Sequence, residues 1–438
     1  MIAETITSSV DREPMDMYAE LRELRPDLFE PIPLVIGQTS QQPEGYPNGA
    51  VDGWRDVESP DFIAVEECGE PLVNIANLKP PIFTTGDYSA KLTNSGYADA
   101  LDGATLAQYV RQGVAEQLLE AQRRLPENYR LVMFDAWRSL ETQYATYEMC
   151  YQSLVDRLVA EGVLSPSEVL TPETQELISK ETQKFISLPS PLPDNLGQSG
   201  DDRVRARRIP SPHNTGGSVD LCIVRIDESQ LDRLRELEAI SAANDNPFSP
   251  EKAKANFAIA MIYREHAQLP DFGTAFDFAG AQAGLTYCET NDSLGEEPRD
   301  SRRMLYNVMT SVGFEPYAEE WWHFNSGNQM AERTKYYRTG QKGVARYGNS
   351  GLSPEQHRHE HIHRQLFHFL GEVAQNPAAA QHIPEDLRML GGSPEDILEL
   401  AAITGDPREA TGFVSTHDMK YRGDIPEELR QAVKAAQS

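Results

Sequence analysis

The segment Ser211-Pro-His-Asn-Thr-Gly-Gly-Ser-Val-Asp220 leads directly into Leu221-Cys-Ile-Val224, an apolar run with β-branched residues that predicts a buried strand. The Gly-Gly pair that follows His213 allows the chain to turn sharply before it enters this strand. We therefore expect the carboxylate of Asp220 to lie at the mouth of the strand. A buried carboxylate is costly unless another group or a metal ion compensates its charge, so this position predicts a bound cation.

A second segment, Glu319-Glu-Trp-Trp-His323, lies far downstream. His213, Asp220 and His323 together offer two imidazoles and one carboxylate, the kind of ligand set with which a catalytic zinc keeps one position open for water. Glu320 would then take a proton from that water. Glu320 and His323 would point to opposite faces of a regular strand, so we expect a local bend, fixed by two core-facing tryptophans.

Each motif alone is weak evidence for a metal site. A single histidine beside glycines is usually a turn or surface residue, and Glu-x-x-His patterns occur by chance in many chains. It is the combination of the two segments in one chain that predicts a zinc centre.

Three further blocks accompany the two metal segments. They are Asp135-Ala-Trp-Arg138, Phe272-Gly-Thr-Ala-Phe-Asp277, and Arg302-Arg-Met-Leu305 leading to Gly313-Phe314. The five blocks, in this order, resemble the zinc D-alanyl-D-alanine dipeptidases, which are relatives of the D,D-carboxypeptidases that trim peptidoglycan precursors. The resemblance covers approximately residues 61–325.

The resemblance implies an activity and roles for seven residues. It implies a metallopeptidase with one zinc ion that hydrolyses a small dipeptide, D-alanyl-D-alanine or a similar peptide containing D-amino acids. The implied roles are zinc ligation by His213, Asp220 and His323, general base catalysis by Glu320, stabilisation of the tetrahedral oxyanion by Arg138, and lining of the substrate pocket by Ser211 and Asp277.

Two alternatives to this activity stay open. The nearer is a D,D- or L,D-carboxypeptidase, or a peptidase acting on a specialised metabolite, that uses the same site. The more distant is a non-catalytic binding protein on the same fold, which would have no need of a general base.

The chain departs from the family pattern close to the oxyanion-binding arginine. Ser139 replaces a proline and Trp137 a tyrosine, and Ala275 also differs from the family residue. A proline after Arg138 would stiffen the turn that aims the guanidinium, so these changes affect the expected shape of the pocket. On the residues alone, Arg138 could instead form a structural ion pair with Asp135, although recognition of an oxyanion favours a guanidinium.

The motif His359-Glu-His-Ile-His363 also fits the pattern His-Glu-x-x-His, in which two histidines share one helix face in zinc proteases. A helix is predicted to begin at Ser353-Pro-Glu-Gln356, a capping box with proline in the first turn. Arg358 and Arg364 flank the motif and would place positive charge beside a dication. We therefore interpret it as a solvated histidine-rich face beside an apolar stripe that includes Leu366, with adventitious metal binding as the alternative.

Composition excludes some partners. A formal charge of −28 and a pI near 4.7 argue against nucleic acid, which is bound through clustered Lys and Arg. The basic run at residues 203–208 is short and adjoins two aspartates, so it either pairs with them or attracts a substrate carboxylate. No stretch approaches the roughly 20 apolar residues of a membrane span. The first residues lack the features of a signal peptide, and the four scattered cysteines suit a reducing compartment, so we expect a cytoplasmic protein.

The predicted architecture is α+β, with a small mixed or antiparallel sheet, flanking helices that help to carry the zinc site, and helical additions. Among the local predictions are a strand at 62–65 and a helix over 106–124. The predicted division is an N-terminal arm at 1–60, a catalytic domain at 61–325 with insertions near 146–205 and 227–270, and a helical C-terminal extension at 326–438 that is a possible oligomer interface.

Overall fold

A six-stranded mixed sheet lies at the centre of the chain in the computed structural model. The structure describes residues 17–34, 62–85, 101–166, 169–183, 185–189, 210–246, 249–278, 280–388, 393–404 and 425–437. Most of the predicted N-terminal arm and the whole basic run at 203–208 lie outside these residues.

The described residues form eight strands and thirteen α-helices. The strands are β1 Leu72–Asn74, β2 Phe83–Thr84, β3 Tyr109–Arg111, β4 Tyr129–Asp135, β5 Ser218–Ile226, β6 Ala267–Gln268, β7 Glu315–Pro316 and β8 His323–Asn325. The helices are α1 Ala19–Leu24, α2 Gln112–Arg124, α3 Leu140–Ala160, α4 Pro172–Thr182, α5 Leu231–Ala243, α6 Pro250–His266, α7 Tyr287–Thr290, α8 Glu296–Ser311, α9 Gln329–Thr339, α10 Pro354–Gln375, α11 Glu385–Arg388, α12 Pro394–Thr404 and α13 Glu427–Gln437.

The sheet has the strand order β2-β4-β5-β8-β7, and β6 pairs with the far end of β5. Only the β2–β4 pair is parallel among the described strands of this sheet; the other pairs are antiparallel. β1 and β3 form a separate antiparallel pair. The predicted α+β class with a small mixed sheet is therefore confirmed.

The register of three neighbouring strands aligns acidic and imidazole side chains in one row. Asp220 on β5 lies opposite Asp135 on β4 and opposite His323 on β8. On β4 the register shifts between Met133 and Asp135, so Phe134 is the extra residue of a β-bulge. Such a bulge re-aims the residue that follows it, and here it brings Asp135 rather than Phe134 opposite Asp220.

The main core surrounds β4 and β5. From Val219 to Val224 the residues of β5 are at most 1% exposed, as expected for a strand covered on both faces. One continuous apolar cluster joins these strands to α2, α5, α6 and α8. The sheet that carries the row of polar side chains is thus held rigidly from both sides.

The C-terminal helices pack on the two predicted insertions. Helix α13 shares an apolar cluster with α3 and α4, and Thr171 at the start of α4 bonds to the end of α13. Helices α10 and α12 share another cluster with α6, where Lys254 pairs with Asp396 at 2.8 Å. The division of the chain into domains stays a prediction.

Three local predictions are corrected. Residues 62–65 do not form a strand; Val65 makes an isolated β-bridge with Ala345. The helix predicted over 106–124 begins at Gln112, because Tyr109–Arg111 pairs with β1. Asp220 is the third residue of its strand rather than the first, because Ser218 and its neighbour already pair with β8. None of the helices that the structure describes is long and apolar enough to cross a bilayer.

Candidate active site

Three buried side chains direct their ligand atoms toward one point. His213 Nε2 lies 3.3 Å from His323 Nδ1 and 3.3 Å from Asp220 Oδ2, and His323 Nδ1 lies 2.9 Å from Asp220 Oδ1. In the described part of the chain, this is the one group of three or more His, Cys, Asp or Glu residues whose ligand atoms converge within 4.8 Å. The three residues are those that the sequence predicts as metal ligands.

The carboxylate of Asp220 supports the assignment. Its Oδ1 is fully buried and, among the described residues, forms no hydrogen bond despite its short distance to His323 Nδ1. A buried carboxylate oxygen without a donor is expensive, whereas a divalent cation would satisfy it. Two imidazole nitrogens and one carboxylate oxygen therefore fit a metal ion.

The ring of His213 is oriented by the strand that precedes Arg138. Its Nδ1 lies 2.6 Å from the carbonyl oxygen of Ala136, to which it donates, and 3.1 Å from Asp135 Oδ2. This contact leaves Nε2 facing the other two ligands. Hydrogen bonds from the second ring nitrogen are what commonly fix a metal-binding histidine.

The charges of the site are strongly coupled. Burial and the Arg138 charge would lower the pKa of His213, but Asp220 and Asp135 outweigh them and raise it to about 9. Burial alone would raise the pKa of Asp220, yet the two histidines hold it well below its usual range. The pKa of His323 is lowered, chiefly by burial. Asp220 is therefore ionised, as a metal ligand must be.

Arg138 forms an ion pair with Asp135, and it also reaches Asp220, one of the predicted metal ligands. Its Nε donates to Asp135 Oδ2 at 2.5 Å, and its Nη2 donates to Asp220 Oδ2 at 3.2 Å. Its Nη1 donates to Gln143 Oε1 at 3.3 Å, and the Gln143 amide donates to the carbonyl of Ser187. The buried guanidinium is thus held in a fixed position at the wall of the cleft.

Glu320 lies beside the ligands in the bend that the sequence predicts. It belongs to the turn before β8, and its Oε2 is 3.6 Å from His323 Nδ1. Burial raises the pKa of Glu320 well above its usual value, and the neighbouring charges of Asp220 and Asp277 raise it further. A carboxyl group with a raised pKa is suited to accept and return a proton.

The two tryptophans of this segment fix the bend from the core side. Trp321 and Trp322 are each 2% exposed. The ring of Trp321 stacks on Phe272 with 4.1 Å between centroids, and its indole donates to Thr274 Oγ1. These contacts lock the segment that carries Glu320 to the loop of the neighbouring motif.

That loop carries Asp277, whose φ of 60° is the one positive value for a non-glycine residue in the described ranges. Both ends of the loop are held by the guanidinium of Arg302 on α8, which is 0% exposed. It donates to the carbonyls of Phe272, Gln282 and Gly284 at 2.8, 2.8 and 2.6 Å. The unusual backbone at Asp277 is therefore fixed by a buried cation, as strained residues at functional sites often are.

These side chains surround a cleft that opens to solvent, and the space between them, open solvent included, is about 500 Å³. Of the seven predicted residues, the cleft is lined by Arg138, His213, Asp220, Asp277, Glu320 and His323. Ser211 is not among its lining residues, and its buried hydroxyl donates to the carbonyl of Leu188.

The sequence did not indicate several other lining residues. The segment that follows α4 contributes Gln183, Phe185, Ile186 and Ser187 to the cleft, and Tyr317 and Met330 also line it. No short motif marks these positions, because the packing of distant segments brings them to the site. Gln143 also lines the cleft, and its position could have been inferred from the sequence, because it lies in the first turns of the helix that follows Arg138.

The departures from the family pattern near Arg138 have local explanations. Ser139 caps helix α3 by accepting a hydrogen bond from the Thr142 amide at 3.0 Å, so a helix cap anchors the turn where a proline is expected. Trp137 packs with Leu72 and donates to the carbonyl of Ser350, and it does not line the cleft.

The pattern His-Glu-x-x-His lies on α10, which begins with the predicted capping box. Its glutamate, Glu360, is buried and accepts hydrogen bonds from the amides of residues 106–107 and from the Tyr109 hydroxyl. His359 and His363 are half-buried rather than fully solvated. Within the described ranges they belong to no cluster of three possible ligands. The glutamate therefore anchors α10 to the chain segment before β3.

Comparisons with known proteins support the resemblance drawn from the motifs. Residues 228–340 match a family model described as D-ala-D-ala dipeptidase, a range that includes Asp277, Glu320 and His323 but begins after Asp220. The chain is also 23% identical, over 278 residues, to a protein of Synechocystis sp. described as D-alanyl-D-alanine dipeptidase. That alignment covers 61% of this chain and 86% of the relative.

Proposed function

We propose, starting from the similarity of this chain to the D-ala-D-ala dipeptidases, that it is a zinc-dependent peptidase which hydrolyses D-alanyl-D-alanine or a similar small dipeptide. The observation that carries the proposal is the convergence of His213, Asp220 and His323 beside Glu320 and Arg138 in one cleft. A binding protein would have no need of the proton acceptor.

The proposed chemistry divides among these side chains. His213, Asp220 and His323 would hold the zinc ion, which would supply Lewis acidity and would lower the pKa of a bound water to about 7. Glu320 accepts the proton of the attacking water and later returns it to the departing amine. The Nη2 of Arg138 donates to Asp220, which places the guanidinium beside the predicted metal position. From there Arg138 donates to the oxyanion that develops on the substrate carbonyl.

Asp277 is the side chain that we assign to recognition of a free dipeptide. It lines the same cleft as Glu320 and is close enough to raise the pKa of that residue. A carboxylate in this position would attract the ammonium group of an unblocked dipeptide. The assignment of Ser211 to the substrate pocket becomes an indirect one, because its hydroxyl donates to the carbonyl of Leu188, the residue that follows the lining residue Ser187.

A substrate panel tests the proposal. Purified protein loaded with zinc should hydrolyse D-alanyl-D-alanine, and chelation or replacement of His213 or His323 by alanine should remove both the metal and the activity. Elemental analysis gives the metal content. Hydrolysis by the chelated protein, or full zinc in both variants, would exclude this site.

The same panel separates the alternatives. We expect N-acetylated D-alanyl-D-alanine to be a poor substrate and Asp277→Asn to reduce the preference for the free amine. Equal turnover of longer, N-blocked peptides would favour a carboxypeptidase. Zinc and peptide binding without hydrolysis of any substrate would favour the non-catalytic protein.

A further inference from the structure

We propose that Asn325 is a positioning residue which sets the tautomer of His323, so that Nδ1 of this histidine is the atom that faces the metal. The inference rests on the metal site of the proposed function, and concerns how the protein prepares one ligand for it. Asn325 does not itself line the cleft.

The side-chain oxygen of Asn325 is a meeting point for three polar groups. Its Oδ1 lies 2.6 Å from Ser218 Oγ, 3.0 Å from Asn328 Nδ2 and 3.2 Å from His323 Nε2. Asn325, Ser218 and Asn328 are at most 1% exposed. Each hydrogen bond in this cluster must therefore have a matching donor and acceptor inside the protein.

The direction of these hydrogen bonds follows from the backbone of the next helix. Asn328 is the N-cap of α9, and its Oδ1 accepts from the Ala331 amide at 2.9 Å. The other end of this side chain is thus the NH2 group, which can only donate. It donates to Ser218 Oγ at 2.8 Å and to Asn325, so the atom that Asn325 presents must be its oxygen.

The oxygen of Asn325 in turn determines the protonation of the histidine. It can only accept, so His323 Nε2 must carry the hydrogen to bond with it. The lone pair of the neutral ring is then on Nδ1, which faces Asp220 Oδ1 at 2.9 Å and His213 Nε2 at 3.3 Å. A chain of three side chains thus connects a helix cap to the metal ligand.

The arrangement leaves one polar group of Asn325 unsatisfied. Asn325 Nδ2 is buried without a hydrogen-bond partner among the described residues. An unsatisfied buried donor lowers stability. The Asn325 side chain directs its oxygen toward His323 Nε2 although its Nδ2 then has no hydrogen-bond partner among the described residues.

Zinc affinity and the histidine tautomer test the inference. In a competition assay with a chromophoric chelator, Asn325→Leu should bind zinc about 10–100-fold more weakly than the parent protein. Asn325→Asp keeps an acceptor at this position and should recover most of the affinity. Asn328→Asp keeps the helix cap but removes the donor, so it should give a smaller loss.

Controls separate this role from general destabilisation. Asn307→Leu removes an amide that donates to the backbone of Leu28 and Glu30 and does not line the cleft, so it should leave zinc affinity unchanged. Circular dichroism and thermal melting show whether each variant folds. In ¹⁵N-edited spectra the parent His323 should appear as the Nε2–H tautomer, with or without zinc.

The outcomes distinguish this inference from the proposed function. Unchanged affinity in folded Asn325→Leu, or an Nδ1–H tautomer of His323 in the parent protein, overturns the inference. If Asn325→Leu does not fold, the tautomer of the parent protein decides. Zinc binding without peptide hydrolysis overturns only the proposed function, and a parent protein that binds no zinc overturns both.

Discussion

Replacement of Glu320 by glutamine is the sharpest test of the proposed mechanism. Glutamine has nearly the same shape, so the cleft and the neighbouring His323, 3.6 Å away, should keep their positions. The variant loses the ability to accept a proton at Oε2. The three metal ligands remain, so zinc content should be unchanged.

The expected size of the effect follows from the role of the side chain. A positioned general base contributes about 10²–10⁴-fold to turnover, which corresponds to about 3–5 kcal/mol in the activation barrier. Stability should not fall. In the parent protein, burial together with Asp220 and Asp277 raises the pKa of Glu320, so a neutral side chain there relieves repulsion between carboxylates.

The assay compares turnover of D-alanyl-D-alanine, zinc content and melting temperature between the parent protein and two variants. Glu319→Gln removes the same charge from the exposed neighbouring residue and should retain parental activity. If Glu320→Gln hydrolyses the dipeptide at the parental rate with zinc bound, Glu320 is not the base. If it loses zinc, the residue acts through the metal site.

Three further predictions concern other parts of the molecule. Arg138→Ala should lower turnover by about 10²–10³ with zinc retained, measured by steady-state kinetics; a change confined to KM would make the residue a carboxylate anchor. Replacement of both His359 and His363 by alanine should leave turnover nearly intact, and loss of activity in that folded variant would favour the second metal motif. A hydrogen bond from Lys254 lowers the pKa of Asp396 to about 2, from 3.8 in an unfolded chain. The ionised Asp396 therefore stabilises the folded protein above pH 4, and this stabilisation is lost as pH falls toward 2. The difference in melting temperature between the parent protein and Asp396→Asn should therefore shrink over that range.

The residues that meet in the cleft could be predicted because each of them lies in a short segment with a recognisable pattern. His213 and Asp220 flank a glycine pair, and Glu320 and His323 flank two tryptophans. Each segment carries its own turn, so residue type and spacing indicate its role. The structure brings these four residues together in the cleft, whereas the pocket role predicted for Ser211 is not direct.

What could not be predicted depends on pairing between distant segments. The extra residue Phe134 in β4 brings Asp135 opposite Asp220, and no local sequence pattern predicts such a bulge. Residues 109–111 continue the amphipathic pattern of α2, but they pair with β1 because partners in a sheet can override local preference. Asn325 lacks a motif of its own, since its role arises from Asn328 and the strand register.

The row formed by Asp135, Asp220 and His323 has a consequence for protein engineering. Side chains alternate between the two faces of a strand, so one residue inserted into β5 before Asp220 would turn its carboxylate to the opposite face. The centre therefore cannot be transplanted as a loop; a recipient scaffold needs three adjacent strands in this register, including the bulge. Over evolutionary time, changes in length should collect in the connections between neighbouring strands, of which the stretch between β5 and β8 is the longest in this sheet.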